Sequence, residues 1–333
     1  MKRSPQFDRL SSARQPVALA LAAVLGCLAA GLAMAQSEGT APSRQPAALQ
    51  ADQLFWETFR GGDYAHIQAS IEASTAAYLR DPTDAVSAAH VGWLHMWRVA
   101  ESSRLPQRPA SITDDIVLAR KYFQKAAALA PDDARYRGFL ASAMLTEARI
   151  DRDTALRQQG VDVMRQAVSD WPAFNLFTTG YVMSGSPASS DSFKQGLEQQ
   201  WKNLEICGHM TLDRQGANID QFPKNVVKAT ANSRDARACL NSAKAPHNEE
   251  GFILNMGDML TKAGDWHTAR KVYAIAKQSP DYAQWPYREV LEQRIRDAEA
   301  NVAAFNAEAQ PGKTSSTPMM ISSGYACMAC HQQ

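Results

Sequence analysis

The chain has 333 residues, 45% of them apolar, with 35 Lys and Arg against 34 Asp and Glu. That length suffices for a sizeable buried core, and the balanced charge leaves no electrostatic footprint for nucleic acid or a strongly charged partner. Only 18 Gly and 16 Pro occur among abundant Ala, Leu, Gln and Arg, which argues against a turn-dense β protein and for an all-α fold.

Residues 1–35 read as a secretory signal peptide. Lys2, Arg3, Arg9 and Arg14 form a basic head, an apolar run follows from Pro16 to Met34, and Ala33-Met34-Ala35 supplies an A-x-A cleavage site. The mature chain is then expected to begin at Gln36, in the periplasm, with residues 36–50 as a linker. A second reading sets cleavage before Cys27 and leaves that cysteine as a lipid anchor. A third keeps the apolar run as a membrane anchor. No other stretch approaches the ~20 apolar residues of a spanning helix, so no membrane span is expected once the signal is removed.

From Ala51 to Glu308 the sequence is a series of helical patterns, clearest in "GFILNMGDMLTKAGDWHTARKVYAIAKQSP", Gly251 to Pro280. Gly257 permits close approach of two helices and Gly264-Asp265 makes a turn. Ala269, Tyr273 and Ala276 share one helical face before Pro280 ends the second helix. This unit resembles the tetratricopeptide repeat (TPR), a helix-turn-helix module with small residues where its two helices meet, although Leu260 stands where an aromatic is usual. Parts of the same signature recur. Ala119, Phe123, Ala126 and Pro131 repeat the second-helix spacing downstream of Gly92; Gly160, Met164, Ala167 and Pro172 repeat it again; Gly62-Asp63-Tyr64 and Asp81-Pro82 mark an N-terminal unit. The resemblance implies a TPR-like α-solenoid with a groove that binds a peptide or protein.

Two departures from the repeat are visible. "ESSRLPQRPASIT" is inserted between Gly92 and Ala119, and residues 173–250 show no repeat. That irregular middle reads as a Gly/Ser/Pro loop, "SGSPASSDS", then one helical stretch through Trp201 to Ile206, then loop-rich sequence. Trp93 and Trp97, at helical spacing, are expected in the core. His90 and His95 lie five apart and do not share a face, so they make no joint metal site.

Five cysteines divide by position. Cys27 leaves with the signal or carries lipid; Cys207 and Cys239 form an even pair in an oxidising compartment and are expected to make a disulfide, with free thiols as the alternative. Cys207-Gly208-His209-Met210 also sets thiolate, imidazole and thioether together, a mixture that suits copper, but on four residues alone.

After Glu308, "AQPGKTSSTPMMISSG" reads as a flexible linker, so that residues 309–333 form a linker and a tail. The tail ends in "YACMACHQQ", where Cys327, Cys330 and His331 spell C-x-x-C-H. Two residues between the cysteines put both sulfurs on one side of a turn, where each can form a thioether with a haem vinyl group. His331 follows directly and can reach the iron as proximal ligand. The tail thus resembles c-type cytochromes over these five residues, which implies one covalent haem c. A dithiol redox pair, a partial zinc site and a tail without a role are the competing readings.

Two residues follow His331, so no downstream Met can serve as second axial ligand. Met319 and Met320 are the nearest distal candidates, with His209, His247 and His267 behind them, and an open sixth position is equally allowed. The haem faces are expected to be covered by the solenoid, by a partner, or hardly at all. The function expected is an exported monohaem cytochrome that exchanges electrons with a protein redox partner docked by the repeats. The alternatives are a periplasmic scaffold with the haem incidental or absent, and a haem enzyme or gas sensor. No carboxylate pair, phosphate loop or triad pattern argues for a hydrolase or transferase.

Overall fold

The computed structural model describes residues 44–60, 63–102, 107, 110–226, 238–239, 248–307 and 317–323. The signal peptide, Cys27, most of the 36–50 linker, His247, Cys327, Cys330 and His331 lie outside the described residues. Residues from Gln45 onward belong to one unit, and its described residues are all-α, with no strand among them.

The helices follow in order: α1 Pro46–Arg60, α2 Ile67–Arg80, α3 Ala85–Glu101, α4 Ile112–Leu129, α5 Ala134–Asp151, α6 Thr154–Asp170, α7 Pro172–Met183, α8 Asp191–Gly208, the short α9 Phe222–Val226, α10 Glu249–Lys262, α11 Trp266–Ile275, α12 Arg288–Arg296 and α13 Ala298–Asn306. Each of α1 to α8 packs on the next; α10 packs on α11, and α13 returns to lie on α10. Helix α1 starts at Pro46 and buries Ala48, so the helical body begins inside the stretch expected as linker.

Sequence dictates where these helices begin and end. Asp81-Pro82 and Ala130-Pro131 each stop a helix, because proline disfavours a helical residue before it. Two residues on, Asp84 and Asp133 cap the next helix by accepting the Val86 and Arg135 amides at 3.0 and 3.1 Å. The chain takes the same path at both joints, with Asp84 N–H donating to Asp81 O and Asp133 N–H to Ala130 O. Asp153, Ser190, Asn248 and Asp265 cap α6, α8, α10 and α11 in the same manner.

Small residues set how closely the helices approach. A Cβ on Gly92 would stand 3.0 Å from the Phe123 ring, one on Gly160 3.1 Å from Leu145, and one on Gly257 2.2 Å from Tyr273. The glycine of one helix thus meets the aromatic of the next in both the α3/α4 and α10/α11 pairs. Trp97 is buried as expected, and Trp93 packs against the aromatic clusters on both sides of it, one around Phe55 and Phe59, the other around Phe123 and Phe139. Each such side chain removed from water stabilises the fold by ~1.5–3 kcal/mol.

The middle segment is more regular than its sequence. Residues 172–208 hold a helix pair, α7 and α8, pressed together so tightly that a Cβ on Gly180 would meet Gln200 at 2.5 Å and one on Gly196 would meet Met183 at 2.6 Å. Of "SGSPASSDS", residues 184–190 form the loop expected there and Asp191 opens α8, which contains the helical stretch expected through Trp201 to Ile206. Pro172 ends α6 and also opens α7 as its first residue, with Trp171 at the junction.

Candidate functional site

Thr317–Ser323, inside the stretch expected as a flexible linker, lie against the helical body. Met319 is 5% exposed and packs with Phe193, Met259 and Phe305, from α8, α10 and α13. Met320 is fully buried in the large cluster that holds Leu260, Tyr273 and Leu291. Ile321 joins the same apolar seam, its Cδ1 near Gly185. Three consecutive apolar residues, flanked in sequence by polar ones, thus form a strap packed against α8, α10 and α13.

Beneath the strap lies a buried ionic clasp. Asp258 Oδ1 accepts the Tyr273 hydroxyl at 2.6 Å and the Arg294 Nε at 3.1 Å, while Oδ2 accepts the backbone N–H of Met320 at 2.8 Å. Arg294 Nη2 donates to Pro318 O at 2.7 Å, and its guanidinium lies 5.0 Å over the Phe305 ring. Asp258 and Tyr273 are fully buried and Arg294 nearly so. Burial pushes the Asp258 carboxyl upward, against the pull of Arg294, Tyr273 and the Met320 amide. Burial also raises the Tyr273 phenol, helped by the charge of Asp258 beside it. A carboxylate and a guanidinium from two helices therefore hold the backbone groups on either side of Met319.

Lys262, one turn beyond Asp258 on α10, secures the neighbouring loop. Its buried Nζ donates to Ser184 O at 3.2 Å and Ser186 O at 2.8 Å, and burial lowers its pKa.

The other sequence-derived residues fall at separate places. The Cys207 and Cys239 sulfurs are 1.98 Å apart, compatible with the expected disulfide. That pairing takes Cys207 out of any copper set, and Met210 Sδ receives Asn225 Nδ2. His209 is exposed at the left-handed C-cap of α8, and His267 is exposed and stacked 3.5 Å from Trp266. His90 lies 3.0 Å from Asp52 and stacks on Phe55, whereas His95 meets Asp115 at 2.7 Å, so the two imidazoles serve different helix contacts. Among the described residues no group of three His, Cys, Asp or Glu could hold a metal ion. No described helix is long and apolar enough to cross a membrane.

The haem-attachment set can still be tested for fit by its donors. Cys207 and Cys239 engage each other, so neither competes for Cys327 or Cys330. Two thiols and an adjacent imidazole are the donor set that a covalent haem requires. None of the protein-family models, curated proteins or solved structures compared with the chain matches it.

Proposed function

We propose that this chain is an exported monohaem c-type cytochrome in which a TPR-like α-solenoid carries haem c on its C-terminal tail and docks a protein redox partner. The observation that carries the reading is the C-x-x-C-H of Cys327, Cys330 and His331, in a chain whose other two mature cysteines are paired with each other. The repeated Asp-capped joints and the glycine-to-aromatic contacts of α3/α4 and α10/α11 support the TPR-like arrangement.

When bound, haem c supplies a one-electron iron couple. Cys327 and Cys330 would hold it through thioether bonds and His331 would supply an imidazole to its iron, so that one electron could be exchanged with a protein partner. The body contributes an anchor: the strap ends at Ser323, four residues before Cys327. Covalent reach keeps the Cα of Cys327 within about 14 Å of Ser323.

The test is expression with the c-type maturation system followed by a haem-stained denaturing gel and optical spectra. Stain retained by the parent and lost in Cys327→Ala with Cys330→Ala, with reversible reduction by one electron, is the expected result. An unstained parent band would leave the scaffold reading in its place. A reduced spectrum transformed by CO would point instead to the enzyme or sensor reading.

A further inference from the structure

The strap can be accounted for group by group. Met319 has polyproline-like backbone angles, φ −56° and ψ 155°, and Met320–Ser322 make a single 3-10 turn. Within that turn the Ser322 and Ser323 N–H groups donate to Met319 O and Met320 O at 2.9 and 3.1 Å, and Ser323 Oγ also donates to Met320 O at 2.6 Å. The turn makes no use of the Pro318 carbonyl or the Met320 N–H, and the body meets both. Arg294 Nη2 donates to the carbonyl and Asp258 Oδ2 accepts the N–H. The side chains are seated separately, Met319 among Phe193, Met259 and Phe305, and Met320 in the cluster of Leu260, Tyr273 and Leu291.

Main-chain bonds to a short segment, combined with a separate seat for each of its side chains, are how proteins recognise peptides. The ion pair points the same way. A desolvated carboxylate and guanidinium add little stability that apolar residues of equal volume would not supply, yet here each also addresses a backbone group of another segment. We infer that the corner of α8, α10, α12 and α13 is a peptide-binding site, which the chain's own Pro318–Ile321 fills and for which a flexible segment of a partner protein competes. The segment that fits carries two consecutive long, unbranched apolar side chains, after a residue with a free carbonyl and before a tight turn. Methionine suits both seats because its thioether chain adapts to irregular apolar gaps. A carboxylate at the second seat would lie against Asp258 and is rejected. Neither the cysteines of the tail nor His331 enters into this recognition.

The experiment uses the full chain with a specific protease site inserted between Gly312 and Lys313, cut after folding. On gel filtration the C-terminal fragment should elute with the body. A fluorescent peptide of residues 316–324, added in excess, should then displace it while the near-UV circular dichroism of the body stays unchanged. Met320→Leu in the peptide should alter its binding by less than about tenfold, because apolar volume is kept. Met320→Asp in the peptide should weaken binding by about a hundredfold or more, through lost apolar burial and a carboxylate set against Asp258. Arg294→Lys in the body keeps a charge for Asp258 but lacks the fork that also reaches Pro318, and should weaken the parent peptide by about tenfold.

A fragment that no excess of peptide exchanges, or a body that loses its near-UV signal as the fragment leaves, would make the strap a fixed part of the core and overturn the site. So would a fragment that elutes alone from a body that takes up no peptide. Equal binding of the parent and Met320→Asp peptides would overturn the specificity assigned to the second seat.

Discussion

Asp258 accepts the backbone N–H of Met320 at 2.8 Å, joining a fully buried carboxylate on α10 to a residue 62 positions later in the chain. The same carboxylate meets Arg294 at 3.1 Å, so removal of the acid would strand a guanidinium that is 3% exposed. Breaking one side of a buried pair is strongly destabilising, whereas replacing both sides with apolar groups is often close to neutral. Asp258→Asn should therefore lower the unfolding free energy by ~3–5 kcal/mol in urea titrations, and adding Arg294→Met should restore part of it. Additive losses would contradict the coupling.

Gly257 is a second point where one atom decides. A Cβ there would stand 2.2 Å from Tyr273 Cε1, and that ring has no room to yield because its hydroxyl is bonded to Asp258. Overpacking of this kind is destabilising by ~1–3 kcal/mol or more. Gly264→Ala provides the contrast, since nothing lies within 4 Å of its Cβ and only its φ of +90° resists substitution. Thermal unfolding should show Gly257→Ala losing more stability than Gly264→Ala, which loses ~1–2 kcal/mol for its left-handed backbone.

Glu249 predicts a pH dependence. Burial, with Glu250 and Asp281 nearby, raises its carboxyl from 4.5 to about 7. Because the folded state holds this proton more tightly than the unfolded chain, the contribution is fully present below pH ~4.5 and is lost as pH rises to ~7. Glu249→Gln should raise the melting temperature at pH 8 relative to the parent and leave it nearly unchanged at pH 4.5. A difference of equal size at both pH values would show that the side chain acts through packing alone.

The Cys207–Cys239 bond spans 32 positions and ties the residues around Cys239 to α8. Closing a loop of that length restricts the unfolded chain, and the loop-entropy estimate is about 3–4 kcal/mol. Cys207→Ser with Cys239→Ser should lose stability on that scale. Thiol labelling of the denatured parent without reductant should find neither residue reactive.

How much of this was legible in the sequence follows from which atoms carry each feature. Gly92 and Gly257 announce their helix pairs because close packing against the rings of Phe123 and Tyr273 demands a small residue opposite, and that demand is written in residue type. Helix α7 escaped because it is buried on nearly every side, Ala173 through Gly180, so it shows no periodic contrast between apolar and polar positions. The strap escaped because its surroundings are Pro, Ser and Thr and its polar grip runs through a backbone amide and a carbonyl, which leave no side-chain pattern. The available signal was Met319-Met320-Ile321 inside polar sequence, together with Asp258 and Arg294 on otherwise buried helix faces. The C-x-x-C-H of Cys327, Cys330 and His331 lies outside the described residues, and its reading as a haem site rests on residue types and spacing alone.

A covalent haem on Cys327 and Cys330 would be visible in the mass spectrum of the exported protein. Trypsin cutting after Lys313 should release residues 314–333 as one peptide, since no Lys or Arg follows. This peptide should carry the mass of one haem, bound through Cys327 and Cys330. The same peptide recovered with both thiols free, or with Cys327 bonded to Cys330, would contradict it.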